Sequence, residues 1–426
     1  MTTTAVSQPL TPVQPGERVQ IIDSLRGFAL LGILLVNMAI FIHPIFAFLL
    51  PPDPATPLLD RVASWLIHFV AEGKFYSLFS LLFGLGFAIQ FSRAQERGWR
   101  IVPLYLRRLF ALLLIGMAHA FLVWTGDILI FYAVLGLVLI LFRKAQPKTL
   151  LIWIGVVLGG YLLLLALIVG LLQLARLEPT MAVELEQNFA AQEAYFRSET
   201  ERAYQIYSEG SFAEITRHRV YEYLSFVGFA AFGMVPGVFT MFLAGLYFGR
   251  RQLFNAVEEN LAFFRKLAWW GLAIGLPANL LYATIMSGSA SRLELSPAFL
   301  AATVAQIVGG PALSLFYVAA LTLLSRRQTW RRWLDLLAPA GRMALTNYLL
   351  QSIICTFIFY GYGLGLFGQV GAAAGLALTL VIFATQVAWS NWWMQRYRYG
   401  PVEWLWRSLT YLRRQPMLRQ SVPATG

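Results

Sequence analysis

The residues able to do chemistry are few, and they sit where an apolar chain tolerates them least. His119 lies in the apolar segment Gly116-Met117-Ala118-His119-Ala120, with Trp124, Gly126 and Asp127 following closely. An imidazole whose pKa lies near 6.5 can accept the proton of a hydroxyl or amine during acyl transfer. Asp127 is placed to cap the helix that follows; it can also orient a histidine, but a hairpin at this spacing is expected to leave the two side chains offset. His43 and His68 compete with His119 for the same role.

A second group, His68, Glu72 and Lys74, falls inside an overlong apolar run. Counting 1.5 Å per residue from Asp60 puts Glu72 roughly 18 Å along a helix, near the middle of a bilayer. A charge at that depth costs roughly 2.5–3.5 kcal/mol on insertion scales, so a functional reading is the default. Glu72 and Lys74 are two residues apart and point in different directions, so each is expected to find a partner on another helix or in water. Gly73 between them predicts a break whose freed backbone groups line a cavity. Lys74 then reads as a phosphate contact, or as half of a structural pair with a distant carboxylate. Asp23 and Arg26 share a face at i, i+3, either as an N-cap with a snorkelling arginine or as part of a site. Asn347 and Gln351, four apart, present two amides on one helix face, the pattern of interhelical hydrogen bonding.

The elements that position these residues follow from composition. Of 426 residues 58% are hydrophobic and 13% charged, and mean hydropathy is +0.63, against roughly 45–50% apolar residues in soluble domains. The chain is therefore an integral membrane protein. Apolar runs near 27–50, 62–92, 104–124, 126–142, 149–175, 224–248, 264–286, 298–324, 342–361 and 370–394 predict an all-α bundle of about ten transmembrane helices. One cysteine, Cys355, excludes a disulfide framework and a cysteine metal site, and the four histidines include no pair at metal-ligand spacing, so no metal is expected.

Most of the 33 basic residues fall in alternate connections and in the C-terminal tail. The positive-inside rule makes that side the cytosol, with both termini there. The net charge of +12 then reflects topology and anionic lipid, not nucleic acid. Residues 1–20 read as a disordered cytosolic leader, 21–175 and 223–395 as two five-helix blocks, and 396–426 as a tail along the inner interface. The acidic stretch 176–222, with Leu, Phe and Tyr at helical spacing, reads as one or two external amphipathic helices. Gly363-Leu364-Gly365-Leu366-Phe367-Gly368 fits a dinucleotide pattern but has no strand before it and reads as a loop. Gly155 with Gly159, Gly233 with Gly237 and Gly271 with Gly275 read as helix-packing pairs.

Taken together, several segments resemble the YeiB family of bacterial inner-membrane proteins, with its C-terminal domain of unknown function (family 418). They are Asp23-Ser24-Leu25-Arg26-Gly27-Phe28, Gly73-Lys74-Phe75 with Leu78-Phe79-Ser80, and His119 with Gly126-Asp127-Ile128-Leu129. Later come Arg342, Ala344, Leu345, Asn347, Tyr348, Gln351 and Ser352, then Gly400-Pro401 with Glu403-Trp404-Leu405-Trp406-Arg407. The opening motif is also similar to those of transmembrane acyltransferases such as the heparan glucosaminide acetyltransferases. That resemblance implies acyl-CoA or acetyl-CoA as donor, with Arg26, Lys74 and Arg108 on the coenzyme phosphates and His119, with Asp127, activating or carrying the acyl group. Asn37 stands where some of these enzymes place a histidine, and the heparan enzymes carry theirs in a loop closer to His43 or His68. The expected function is acyl transfer in the bacterial plasma membrane to an external or lipid-linked hydroxyl or amine, such as a small molecule or glycan. The expected partners are membrane lipids and a second copy of the chain. The rival is a transporter in which Glu72, Lys74 and His119 line a path.

Overall fold

The structure is a computed structural model, and it describes residues 19–98, 101–288 and 295–419. All but the last two residues of the expected leader lie outside that range. Among the described residues the regular structure is helical: α1 Gln20–Ile42, α2 Leu58–Val70, α3 Lys74–Glu96, α4 Ile101–Leu122, α5 Leu129–Leu139, α6 Pro147–Ala175, α7 Pro179–Glu209, α8 Phe212–Arg250, α9 Leu261–Met286, α10 Pro297–Leu324, α11 Gln328–Arg342, α12 Ala344–Phe359, α13 Ala372–Arg396 and α14 Pro401–Tyr411.

Eight helical stretches among these residues are long and apolar enough to cross a membrane, and α11 with α12, bent by 78°, makes up to nine. This is a multi-pass membrane protein. The fourth expected run, 126–142, falls short because α5 and the 3₁₀ turn after it cover only Leu129–Phe142, about 21 Å of helix against a hydrocarbon core of about 30 Å. The run at 342–361 also differs: Gly341 and Arg342 end α11 and a new helix starts at Ala344.

The 62–92 run breaks at Gly73, where φ is +85°, a left-handed conformation that favours glycine. The groups there bond one another, and Tyr282 of α9 packs on them, its ring centroid 5.7 Å from Lys74 Nζ and 6.0 Å from that of His68. His68 Nδ1 bonds Glu72 Oε2 within one turn, and Lys74 Nζ donates to the His68 carbonyl at 2.7 Å. That carbonyl is one of the acceptors a helix C-terminus leaves open, so a buried ammonium settles on it.

Close helix approach sets the bundle. α3 meets α8 at Gly84 and Gly245, where an added Cβ would lie 2.0 Å from the carbonyls of Phe242 and Leu81 respectively. Gly271 and Gly275 seat α9 on α10 in the same way, within 2.7 Å of Ala312 O and Leu313 N. The other two proposed pairs do not pack tightly: nothing lies within 4 Å of a Cβ at Gly155, Gly159 or Gly233, and Gly237 has only Tyr76 at 3.7 Å. In the main core Phe83 stacks on Phe242, and Tyr132 meets both rings edge-on. A second core gathers Trp124, Phe41, Tyr207 and Tyr360, with Trp124 fully buried and stacked on Phe41 at 4.1 Å.

Two segments differ from their sequence reading. The 176–222 stretch forms α7 and, after a break at Gly210 and Ser211, the first turns of α8, which carries on unbroken to Arg250. Ser211 and Glu214 form a capping box that starts α8. The tail does not simply lie on lipid. α14 packs on α4, and Glu403 is buried beneath the start of α12, where its Oε1 accepts from Leu345 N at 2.7 Å and Thr346 N at 3.1 Å. The glycine-rich segment 363–368 lies outside regular structure, as expected of a loop.

Candidate active site

α4 ends in a turn that folds the chain back on itself. The amides of Val123 and Trp124 both donate to His119 O at 2.9 Å, and Gly126 follows where a Cβ would sit 2.2 Å from the Trp124 ring. This reversal is tight enough to return Asp127 across the face of His119. His119 Nδ1 and Asp127 Oδ2 are 2.7 Å apart, so the two side chains are not offset as the hairpin spacing suggested. Asp127 Oδ1 also accepts from Ile130 N at 2.9 Å, serving the start of α5. Orientation and capping thus fall to different oxygens of one carboxylate.

The other ring nitrogen, His119 Nε2, lies 2.9 Å from Ser352 Oγ on α12. With a neutral imidazole against the Asp127 carboxylate, Nδ1–H donates to Oδ2 and Nε2 presents its lone pair to the serine hydroxyl. His119, Asp127 and Ser352 are 2%, 5% and 1% exposed, so this Asp–His–Ser chain is shielded from bulk solvent. Ser352 was visible in the sequence as part of a motif but carried no signal of its role, because its partner is 233 residues away.

Beside this group runs a cavity of about 450 Å³. On α3 it follows Phe79, Phe83, Gly86, Gln90, Arg93 and Glu96, one helix face about 25 Å long. Arg26, Arg93, Arg108, Arg342, Arg398 and Arg407 line it against the carboxylates of Asp23, Glu96 and Glu403. The opposite end is aromatic and apolar: Phe79, Phe83, Ile128, Leu129, Tyr132 and Tyr348. Tyr348 is the wall between cavity and histidine, its ring centroid 5.1 Å from that of His119 and its hydroxyl donating to Gly126 O at 3.3 Å. The arginines are held from behind. The Arg108 guanidinium lies 4.3 Å over the Trp406 ring, and Trp406 Nε1 donates to Arg108 O at 2.9 Å.

The structure sorts the remaining candidates. Arg26 and Arg108 line the cavity, and Lys74 does not; it is fully buried on the carbonyl of His68. Asp23 is not an N-cap, since α1 starts at Gln20 after Val19; it accepts from Arg26 Nη1 at 3.0 Å. Asn37 is half-buried on α1 and does not line the cavity. Asn347 Nδ2 donates to Ser390 Oγ at 3.0 Å; Gln351 Nε2 donates to Gln386 Oε1 at 2.9 Å. Both therefore join α12 to α13. His43 bonds Tyr204 through Nδ1 at 2.9 Å, and burial pushes its imidazole below the usual value while Asp60 opposes that shift.

A polar cluster went unread in the sequence because it falls in a stretch that looked solvent-exposed. His218, Arg219 and Glu222 on α8 are all buried. Tyr207 Oη donates to Glu222 Oε2 at 2.5 Å, and Arg219 Nη1 reaches Phe121 O at 3.4 Å, just beyond the His119 turn.

Residues 248–413 match the family described as "Protein of unknown function (DUF418)". The chain is 37% identical over 97% of its length to "Uncharacterized protein YxaH" of Bacillus subtilis, covering 99% of that protein. It is 30% identical over 96% of its length to "Uncharacterized 39.9 kDa protein in amylase 3'region" of Bacillus acidopullulyticus, covering 98% of it. It is likewise 30% identical over 92% of its length to "Uncharacterized protein YeiB" of Escherichia coli, covering 96%. No solved structure matches the chain.

Proposed function

Given that the chain belongs to the DUF418 family of YeiB-like membrane proteins, we propose that it is a membrane-embedded acyltransferase. In this reading it moves an acyl group from cytosolic acyl-CoA to an external or lipid-linked hydroxyl or amine. The observation that carries it is the cavity's polarity: arginines at one end, an aromatic passage, and a buried imidazole behind Tyr348 whose Nε2 faces Ser352. A coenzyme A thioester has the matching polarity, with phosphates at one end, a thin chain, and the reacting carbonyl at the other. Arg26 and Arg108 hold phosphate, and guanidinium groups suit it because they bind oxygens in pairs. His119, oriented by Asp127, is the general base.

By the positive-inside rule the arginine-lined mouth opens to the cytosol of a bacterial plasma membrane, where the donor is made. The rival reading, a polar transport path through Glu72, Lys74 and His119, has less support. Neither Glu72 nor Lys74 lines the cavity, and both face groups of the α2–α3 break.

The test is thermal unfolding of detergent-purified protein with coenzyme A or acetyl-CoA. A ligand at 100 times its Kd adds roughly 2.7 kcal/mol to the folded state. Arg108→Ala should lose most of that stabilisation and Lys74→Ala should keep it. No stabilisation at millimolar coenzyme refutes the acyl-CoA reading.

A further inference from the structure

The geometry points to Ser352 as the residue that carries the acyl group, as an oxyester, between two half-reactions. This deepens the acyltransferase reading and rests on it. Three observations support the assignment.

The first is the position of the hydroxyl. Buried serines in helices usually donate to the carbonyl four residues back, and this protein shows the habit: Ser77 reaches Gly73 O at 2.6 Å and Ser80 reaches Tyr76 O at 2.7 Å. Ser352 stands 3.4 Å from the equivalent Tyr348 O and 2.9 Å from His119 Nε2. Its hydroxyl sits closer to the base than to its helical partner. With Asp127 on Nδ1, this is the arrangement that activates a serine nucleophile.

The second is a spare donor. Trp124 packs edge-on to His119, ring centroids 6.2 Å apart, and its Nε1–H is buried with no hydrogen-bond partner. Burying an unpaired donor is costly; a tetrahedral oxyanion formed beside His119 would use it.

The third is placement. His119 and Ser352 lie one side chain away from the cavity: Tyr348 lines it and packs on the His119 ring at 5.1 Å between centroids. Rotation of that one side chain opens Ser352 to a thioester held in the cavity.

The chemistry balances without a further reagent. Ser352 Oγ attacks the thioester carbonyl as its proton passes to His119 Nε2. Collapse of the tetrahedral species breaks the C–S bond, and the proton goes to the leaving thiolate. This leaves acyl-Ser352 and free coenzyme thiol. In the second half the acceptor hydroxyl or amine gives its proton to Nε2 and attacks the ester carbonyl. Ser352 Oγ then departs and takes the proton back.

The experiment incubates purified protein with acetyl-CoA radiolabelled in the acetyl group, with no acceptor present, and measures label retained after denaturation. Wild type should hold close to one label per chain, resistant to neutral hydroxylamine, released by alkali and mapped to the peptide containing Ser352. Ser352→Ala should hold none while coenzyme A still stabilises it thermally. Ser352→Cys should hold a label that neutral hydroxylamine removes, because the bond is now a thioester, a change that a merely structural serine would not produce. Wild type that coenzyme A stabilises but acetyl-CoA does not label overturns the carrier role and leaves the acyl-CoA reading standing; so does label that persists in Ser352→Ala. Absence of any coenzyme stabilisation overturns both.

Discussion

Replacing Asp127 by asparagine separates its two tasks, and the structure decides which is lost. The carboxylate accepts from His119 Nδ1 at 2.7 Å and from Ile130 N at 2.9 Å. An asparagine has one oxygen for these two donors. If the oxygen stays on Ile130 N–H, the amide –NH₂ faces His119, and the ring must move its proton to Nε2. If the oxygen turns to His119, two N–H groups face each other at the start of α5, a buried loss of roughly 1–3 kcal/mol. The neutral tautomers of imidazole differ by less than that, so the first arrangement prevails. The protein stays folded with its basic nitrogen turned away from Ser352. In serine hydrolases the equivalent change lowers kcat roughly 10⁴-fold, about 5.5 kcal/mol of barrier. The expected result is a fall of that order in thiol release from acetyl-CoA, with coenzyme stabilisation intact and the melting temperature lowered by only a few degrees. Histidine ring-nitrogen NMR should show the tautomer exchanged. A folded variant that reacts within about tenfold of wild type refutes the role of His119 as an oriented base.

Gly245→Ala should destabilise the protein by about 1–3 kcal/mol or more in thermal melts, because its Cβ would meet the Leu81 carbonyl and backbone cannot swing aside. Gly155→Ala, which meets nothing within 4 Å, should leave the melting temperature unchanged or raise it. Glu403→Ala should cost about 2–4 kcal/mol, since two buried amides of α12 and the Thr346 hydroxyl lose their acceptor; Glu403→Gln should recover part of the melting temperature. Cys355, the single cysteine, is buried and gives a silent background for topology mapping. With a membrane-impermeant maleimide on intact cells, Glu186→Cys should label and Arg331→Cys should label only after permeabilisation; the reverse pattern inverts the orientation.

Helix content and the number of apolar runs were legible because hydropathy over about 20 residues is a strong signal. The Gly73 break was legible because a glycine sat between two charges in an overlong run. What stayed hidden was depth of burial inside the protein. Lipid and protein interior are equally apolar, so periodicity does not separate a face turned to lipid from one turned to a neighbouring helix. Glu403 on a tryptophan-rich tail and Glu222 in an acidic stretch therefore read as surface, though each is buried. The His119–Asp127 contact was misjudged because a hairpin treated as two ideal helices omits the turn in which Val123 and Trp124 share the His119 carbonyl. Lys74 reads as a phosphate contact, or half of a structural pair, from its place at the Gly73 break, and the carbonyl of His68 holds it.

The buried carboxylate beneath α12 also bears on the order in which the protein is made. Leu345 and Thr346 rely on Glu403, which the chain supplies 58 and 57 residues later. At about 5–20 residues per second of synthesis, the helix bearing Ser352 waits about 3–12 s with open amides. A chain that stalls in that interval has already threaded its earlier helices into the membrane, yet lacks the clasp that fixes its serine. Prematurely ended chains therefore lack the acceptor for the first amides of α12, and the helix bearing Ser352 is clasped only once α14 has been made.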